Sequence, residues 1–191
     1  MVMHLKKKMI LFLSITFVVV MAAVFIQDIT KGDFSATWPD ALGRILFSVL
    51  PVFLLFLRKI RFSLSLIIGY YLFLFCTFIL GAILGFYNRF RWWDTVLHFF
   101  GSAYTAFIGI AIYNILLPNA LEKGISRWMI FLFVFSFAMT INILWESAEF
   151  IGAVTGFMVE DKNKDTMTDL LTGTAGGLVV ACWAGFRKRT G

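Results

Sequence analysis

Three pairs of ionisable residues stand at the edges of otherwise apolar runs. Asp94 and His98 are four apart in Trp92-Trp93-Asp94-Thr95-Val96-Leu97-His98. Glu146 and Glu149 are three apart in Trp145-Glu146-Ser147-Ala148-Glu149-Phe150, and Asp165 and Asp169 are four apart in Asp165-Thr166-Met167-Thr168-Asp169. On a helix those spacings place both members of a pair on one face. One imidazole among several carboxylates is a donor set that Zn, Mn or Fe accepts, whereas calcium favours oxygen alone. The same groups can also move protons as general acid and base. The candidate catalytic set is His98, Glu146, Glu149 and Asp169. The candidate metal ligands are Asp94, His98, Glu146, Glu149, Asp165 and Asp169. Arg89 and Arg91, just upstream of the first pair, are candidate substrate contacts, because a guanidinium matches phosphate with two parallel hydrogen bonds.

Such residues are costly inside a bilayer. An acid at mid-span costs roughly 2.5–3.5 kcal/mol on insertion scales, and less near the interface. Carboxylates held close together cannot all ionise without a compensating cation. A divalent ion would supply it, as would the His98 imidazolium with Arg89 or Arg91. Plainer roles exist for two of the six: Asp94 and Asp165 each open a span and suit a helix N-cap. Glu146 and Glu149 lie near a helix C-terminus, where acids are disfavoured. Intramembrane ionisable groups are functional by default, so His98, Glu146, Glu149 and Asp169 read as one shared polar site. The plain alternative is a hydrogen-bonded lock between three helices.

The elements that must position these groups follow from composition. Apolar residues make up 60% of 191 positions, with 23 Phe, and only 15% are charged. A soluble domain carries roughly 25% charged residues and 45–50% apolar ones. Six stretches approach the roughly 20 apolar residues that a spanning helix needs: Met9–Ile26, Ala41–Leu57, Phe62–Tyr87, Asp94–Leu117, Trp128–Phe150 and Thr168–Phe186. The second contains Pro51 and is expected to kink there. The third contains Gly81 and Gly85, a small-xxx-small spacing that suits close helix contact. The run Met9–Ile26 exceeds the roughly 7–15 residues of a signal-peptide core, so it reads as a retained first span. Beyond Phe150 the apolar run continues through Ile151–Val159 with Gly152 and Gly156, which predicts a break and a segment lying over the outer face. Trp38, Trp92 and Trp93 suit that interface. The fold class is therefore all-α: a polytopic membrane helix bundle of six transmembrane helices. Residues 1–191 form a single integral membrane domain, with the motif-bearing half at about 94–177.

Charge sets the orientation. With the N-terminus inside, Lys6, Lys7, Lys8, Arg58, Lys59, Arg61, Lys123, Arg127, Arg187, Lys188 and Arg189 face the cytoplasm. Lys31, Arg44, Arg89, Arg91, Lys162 and Lys164 lie outside. That bias follows the positive-inside rule and places both termini in the cytoplasm. Basic residues clustered between spans are loop markers, so the net charge of +6 implies no nucleic-acid partner. Of the acidic residues, Glu122 alone falls inside. At 1.5 Å per residue His98 lies roughly 6 Å deeper than Asp94, and Glu146 roughly 27 Å above Trp128. All three pairs thus reach the same outer layer. Gly101, Ser102, Thr105, Asn142, Gly173 and Gly176 continue their faces with small or polar side chains. The cysteines Cys76 and Cys182 lie in spans without metal-knuckle spacing and read as packing residues.

The run Trp93-Asp94-Thr95-Val96-Leu97-His98-Phe99-Phe100-Gly101, then Trp145-Glu146 with Glu149-Phe150, then Asp165-Thr166-Met167 with Asp169-Leu170 and Gly176, resembles the YjdF-like bacterial inner-membrane proteins. It is more distantly similar to VanZ-like proteins, which share an Asp-x-x-x-His helix and a later Glu and Asp. This chain has Gly173 where those proteins carry Asn. The resemblance implies a multi-pass protein of the bacterial inner membrane and names no substrate. The location of the polar site suggests an enzyme at the outer leaflet acting on a lipid or lipid-linked cell-envelope intermediate, with membrane lipids as its partners. A proton- or cation-coupled transporter is the second reading. It needs polar stations through the bilayer, and the inner halves of the spans offer Tyr113, Asn114, Ser136 and Thr140 but no ionisable group. A non-catalytic scaffold is the third.

Overall fold

The computed structural model describes residues 2–31, 34–53, 55, 63–117, 124–156 and 163–187. Every element among them is helical: α1 (Val2–Thr30), α2 (Phe34–Phe53), α3 (Leu64–Leu74), α4 (Phe86–Arg89), α5 (Trp93–Leu116), α6 (Arg127–Val154) and α7 (Asn163–Phe186). α3 runs directly into a π-helical stretch, Phe75–Ile83. Among the described residues, five helical segments are long and apolar enough to cross a membrane: Leu5–Thr30, Leu64–Ile83, Trp93–Leu116, Arg127–Val154 and Asn163–Phe186. Of the expected span Ala41–Leu57, the stretch Ala41–Phe53 is an apolar part of α2, and residues 54, 56 and 57 lie outside the described residues. Large apolar side chains such as Phe12, Phe150, Leu171 and Val154 are exposed. A shell of this kind has lipid as its natural solvent.

The helices form two packed regions. In the first, α1 lies along α2, with α3 against both. Its core is Ile10, Met21, Ile67, Tyr71, Leu74 and Phe78, and Ser14 shares a 2.5 Å hydrogen bond with Tyr71. Pro51 leaves its mark here. Lacking an N–H, it cannot satisfy the carbonyl four residues earlier, that of Phe47. Tyr70 on α3 donates its hydroxyl to that carbonyl at 2.7 Å, so the freed group becomes a tie between helices.

In the second region α5, α6 and α7 pack mutually around Ala106, Tyr113, Ile130, Val134, Ala138, Val180, Ala181 and Ala184. α7 is the least apolar of the five spans and the most buried. Its small residues explain both properties. A Cβ at Gly176 would collide with the backbone carbonyl of Phe99 on α5, and one at Gly173 would collide with the Asn142 side chain on α6. Lipid tails are as apolar as leucine, so helices gain little by hiding greasy surface from each other. Close backbone approach, with dispersion contacts and hydrogen bonds, holds them instead. The two regions meet where Phe73 covers Gly101 and where the Tyr104 ring covers Gly69, with the Tyr104 hydroxyl donating to the Leu66 carbonyl at 2.8 Å.

Three sequence expectations change. The helix bearing Glu146 does not break at Gly152 but continues to Val154, and the turn comes at Gly156 with φ 76°. A glycine inside a membrane helix is tolerated, whereas a left-handed turn favours one. Of the interfacial segment expected over Ile151–Val159, Ile151–Val154 instead continue α6, and residues 157–159 lie outside the described residues. The span expected to reach Tyr87 ends at Ile83, because Gly85 takes φ 72° and restarts the chain as α4. Consequently Gly81 and Gly85 do not form a helix–helix seam. Gly81 receives the ring of Tyr87, whose Cζ lies 2.9 Å from where a Cβ would be.

Candidate functional site

α5 begins at Trp93 with Trp92 as its N-cap, so Asp94 occupies the first turn rather than the cap. Its carboxylate still meets the positive end of the helix. His98 follows one turn later on the same face and is buried. α7 begins at Asn163, which likewise moves Asp165 from the cap into the first turn. Asp165 is exposed, while Asp169, one turn further in, is buried. On α6, Glu146 is buried and Glu149 half-buried.

Five of the six candidate ligands converge. Asp94, His98 and Asp169 form one group, and His98, Glu146 and Glu149 form a second, each with potential ligand atoms within 4.8 Å of one another. His98 belongs to both. Its Nδ1 lies 3.1 Å from Glu146 Oε1 and its Nε2 lies 3.7 Å from Asp94 Oδ1. The Glu146 side chain is 8% exposed and that of Asp94 is 47% exposed. The cluster therefore grades from a wet rim at Asp94 to a dry floor at Glu146 and Asp169. Asp165, exposed and one turn outward, belongs to neither group. Arg89 and Arg91 are exposed beside α4.

Below the cluster, Asn142 on α6 donates from Nδ2 to the Leu170 carbonyl of α7 at 3.3 Å. Gly173 provides the space for that amide. Four carboxylates around one imidazole carry a charge that a poorly solvated pocket tolerates only with a cation or with protons taken up. Such a pocket can hold a divalent ion, or keep an acid and a base at different protonation states a few ångströms apart.

Two residues join the site that sequence reasoning did not place there. Tyr87 is folded back over Gly81 of the π-helical stretch. Burial raises its phenol well above the ordinary range, and the nearby charges of Asp94 and, to a lesser degree, Glu149 push the same way. The neighbouring Thr77 side chain and Arg44 oppose that shift. Tyr87 thus stays a hydroxyl donor at the rim. Arg44, from α2 in the other region, lies within electrostatic reach of it. The usable signal was Gly81, whose missing side chain makes the space for Tyr87. Nothing local in the sequence marked Arg44.

A membrane-crossing helix bundle with a lipid-facing apolar shell and a buried Asp/His/Glu cluster defines a multi-pass membrane protein. The chain belongs to the family of predicted membrane proteins DUF2238, whose model matches residues 9–190. This agrees with the resemblance to YjdF-like proteins and extends it from the motif-bearing half to nearly the whole chain. No curated protein and no solved structure matches it.

Proposed function

We propose that this protein is a membrane-embedded enzyme acting at the outer leaflet on a lipid or lipid-linked cell-envelope intermediate. Its Asp/His/Glu cluster would hold a divalent cation (Zn, Mn or Fe) or serve directly as general acid and base. The observation that carries this reading is the convergence of four carboxylates from three helices on His98. Residues kept together at such a solvation cost earn a chemical explanation first. The basic residues favour both termini in the cytoplasm of a bacterial inner membrane, which turns the cluster toward the outer surface. In this reading Arg89 and Arg91 meet a phosphate headgroup. Glu149, the less buried glutamate, exchanges a proton with water at the mouth, and a bound cation would polarise the oxygen under attack.

The test compares lipid-linked intermediates by mass spectrometry in cells carrying the wild type, a deletion, His98→Ala or Glu149→Gln. The expected result is one intermediate accumulating in the deletion and in both variants, at normal protein levels. Unchanged profiles in all three, with no divalent metal on the purified protein, sink the proposal. A second reading rests on the 3.1 Å His98–Glu146 contact and the Asn142–Leu170 hydrogen bond: the cluster is a polar lock between α5, α6 and α7. That reading expects the same variants to melt earlier in detergent while the surviving protein keeps full activity.

A further inference from the structure

We propose that Arg44, with the hydroxyls of Tyr87 and Thr77, holds the phosphate of a lipid substrate at the seam where the two regions of the bundle meet. This adds a recognition site to the enzyme reading above and rests on it. The placement follows from the rings beneath it. Phe47 on α2 touches Phe78 of the π-helical stretch at 6.5 Å and Trp145 on α6 at 5.8 Å, between ring centroids. Three or four residues, one turn, carry an α-helix roughly 5 Å along its axis. One turn beyond the rings, toward the end where the chain reverses at Gly85, α2 presents Arg44 and α6 presents Glu149. The π-helical stretch there presents Gly81, under the Tyr87 ring. The charges of Asp94, Glu149 and Arg44 all act on the Tyr87 phenol, as members of one layer should.

The donors of this layer come from the first region and its α4 extension. Arg44 is half-buried, and its planar fork matches two phosphate oxygens at once. Tyr87 keeps its proton and donates beside it. Thr77 adds a third donor. Its hydroxyl is closed off from solvent and has no hydrogen-bond partner among the described residues. Thr105, Thr140, Thr172 and Thr174, by contrast, each return theirs to a carbonyl one turn back. A buried donor without an acceptor is costly, and π-helical turns recur at functional sites. The opposite wall, Asp94 and Glu149, offers acceptors when ionised. An oxyanion between the walls therefore needs cations. Arg44 supplies one, and the divalent ion of the reading above supplies another. The seam also gives a lipid its way in. Phe47 and Trp145 are 37% and 38% exposed, so an acyl chain lying over these rings would bring its headgroup phosphate to Arg44 from the bilayer.

The full chain in detergent, with a slight excess of Mn²⁺, is titrated by calorimetry with dioctanoyl phosphatidic acid, dioctanoylglycerol and inorganic phosphate. The wild type is expected to bind the phosphatidic acid, and the other two at least about tenfold more weakly. Arg44→Gln should weaken phosphatidic acid binding by about 10–100-fold, as loss of a bond to a charged group does, and Tyr87→Phe and Thr77→Val by roughly 3–10-fold each. Should Arg44→Gln fail to fold, Arg44→Lys, which keeps the charge without the fork, is expected to lose roughly 3–10-fold. In cells, Arg44→Gln should accumulate the same intermediate as His98→Ala. If Arg44→Gln binds like the wild type while the Arg89→Gln/Arg91→Gln double variant loses binding, the proposal is overturned and the enzyme reading stands. Inorganic phosphate binding as tightly as the lipid overturns it too, since the seam then selects no lipid. So does a wild type that does not bind phosphatidic acid, and the enzyme reading is then decided by the cell profiles alone.

Discussion

The two regions of this bundle solve the same problem by opposite means. Around α1, α2 and α3, contact is made by large side chains, Met21, Tyr71, Leu74 and Phe78 among them, and by a few hydroxyl bonds such as Ser14–Tyr71. Around α5, α6 and α7 the seams are lined by Gly173, Gly176 and Gly177, and carboxylates lie between the helices. In hydrocarbon, bulky apolar contacts are replaceable because lipid offers nearly the same contacts. Backbone-to-backbone approach is not replaceable, and neither is a buried acid whose partners have moved. The comparison teaches that a site costly to desolvate is built on the seams least able to slide.

The largest test of that contrast is Gly176→Ala. The added methyl meets the Phe99 carbonyl, which belongs to a helix backbone and cannot swing aside. A loss of about 3 kcal/mol is expected, at the upper end of overpacking penalties. Reversible unfolding in detergent would measure it, and a loss near zero breaks the comparison. At Gly81 the obstructing group is the ring of Tyr87 on the short helix α4, which can move. Gly81→Ala should therefore cost only about 1 kcal/mol while releasing Tyr87 from the rim. Tetranitromethane attacks phenolate, so Tyr87, kept protonated by burial and by the charge of Asp94, should resist nitration at mildly alkaline pH. It should become reactive in the variant, as read by peptide mass spectrometry.

How far the sequence anticipated this site depends on the range of each signal. The pairs at spacings of three and four, together with the helical rise, were enough to bring His98, Glu146, Glu149 and Asp169 to one layer. Periodicity within a helix is a local property and survives without knowledge of the packing. The ends of helices were read less well. The span of Glu146 ran past Gly152, because a glycine does not stop a membrane helix, and Asp94 and Asp165 are first-turn residues because α5 already starts at Trp93 and α7 at Asn163. Tyr87 and Arg44 were missed for a different reason. Their place at the rim depends on the chain reversing at Gly85 and on α2 approaching from the other region, and no short-range pattern encodes either event. The Tyr70 hydroxyl on the carbonyl freed by Pro51 belongs to the same class.

Two smaller effects sharpen the contrast from the other side. Tyr71→Phe removes the Ser14 bond at the centre of the first region. Hydrogen bonds between membrane helices average about 0.6 kcal/mol, so the unfolding free energy should fall by about that amount. A loss above about 2 kcal/mol would mean that this region, too, rests on a polar anchor. Gly43 on α2 has nothing within 4 Å of the position a Cβ would take. Gly43→Ala should leave the fold intact and raise stability by about 0.5 kcal/mol through lost backbone entropy in the unfolded chain. Clear destabilisation there would show that glycine matters equally throughout the bundle.

The character of α7 also bears on how the protein is made. This helix leaves the ribosome after the other membrane-crossing helices and is the least suited of the five to rest in lipid alone, since Asp169 and its glycines need neighbours. Until α7 emerges, α5 and α6 of the nascent chain therefore enclose a half-built pocket, which α7 completes.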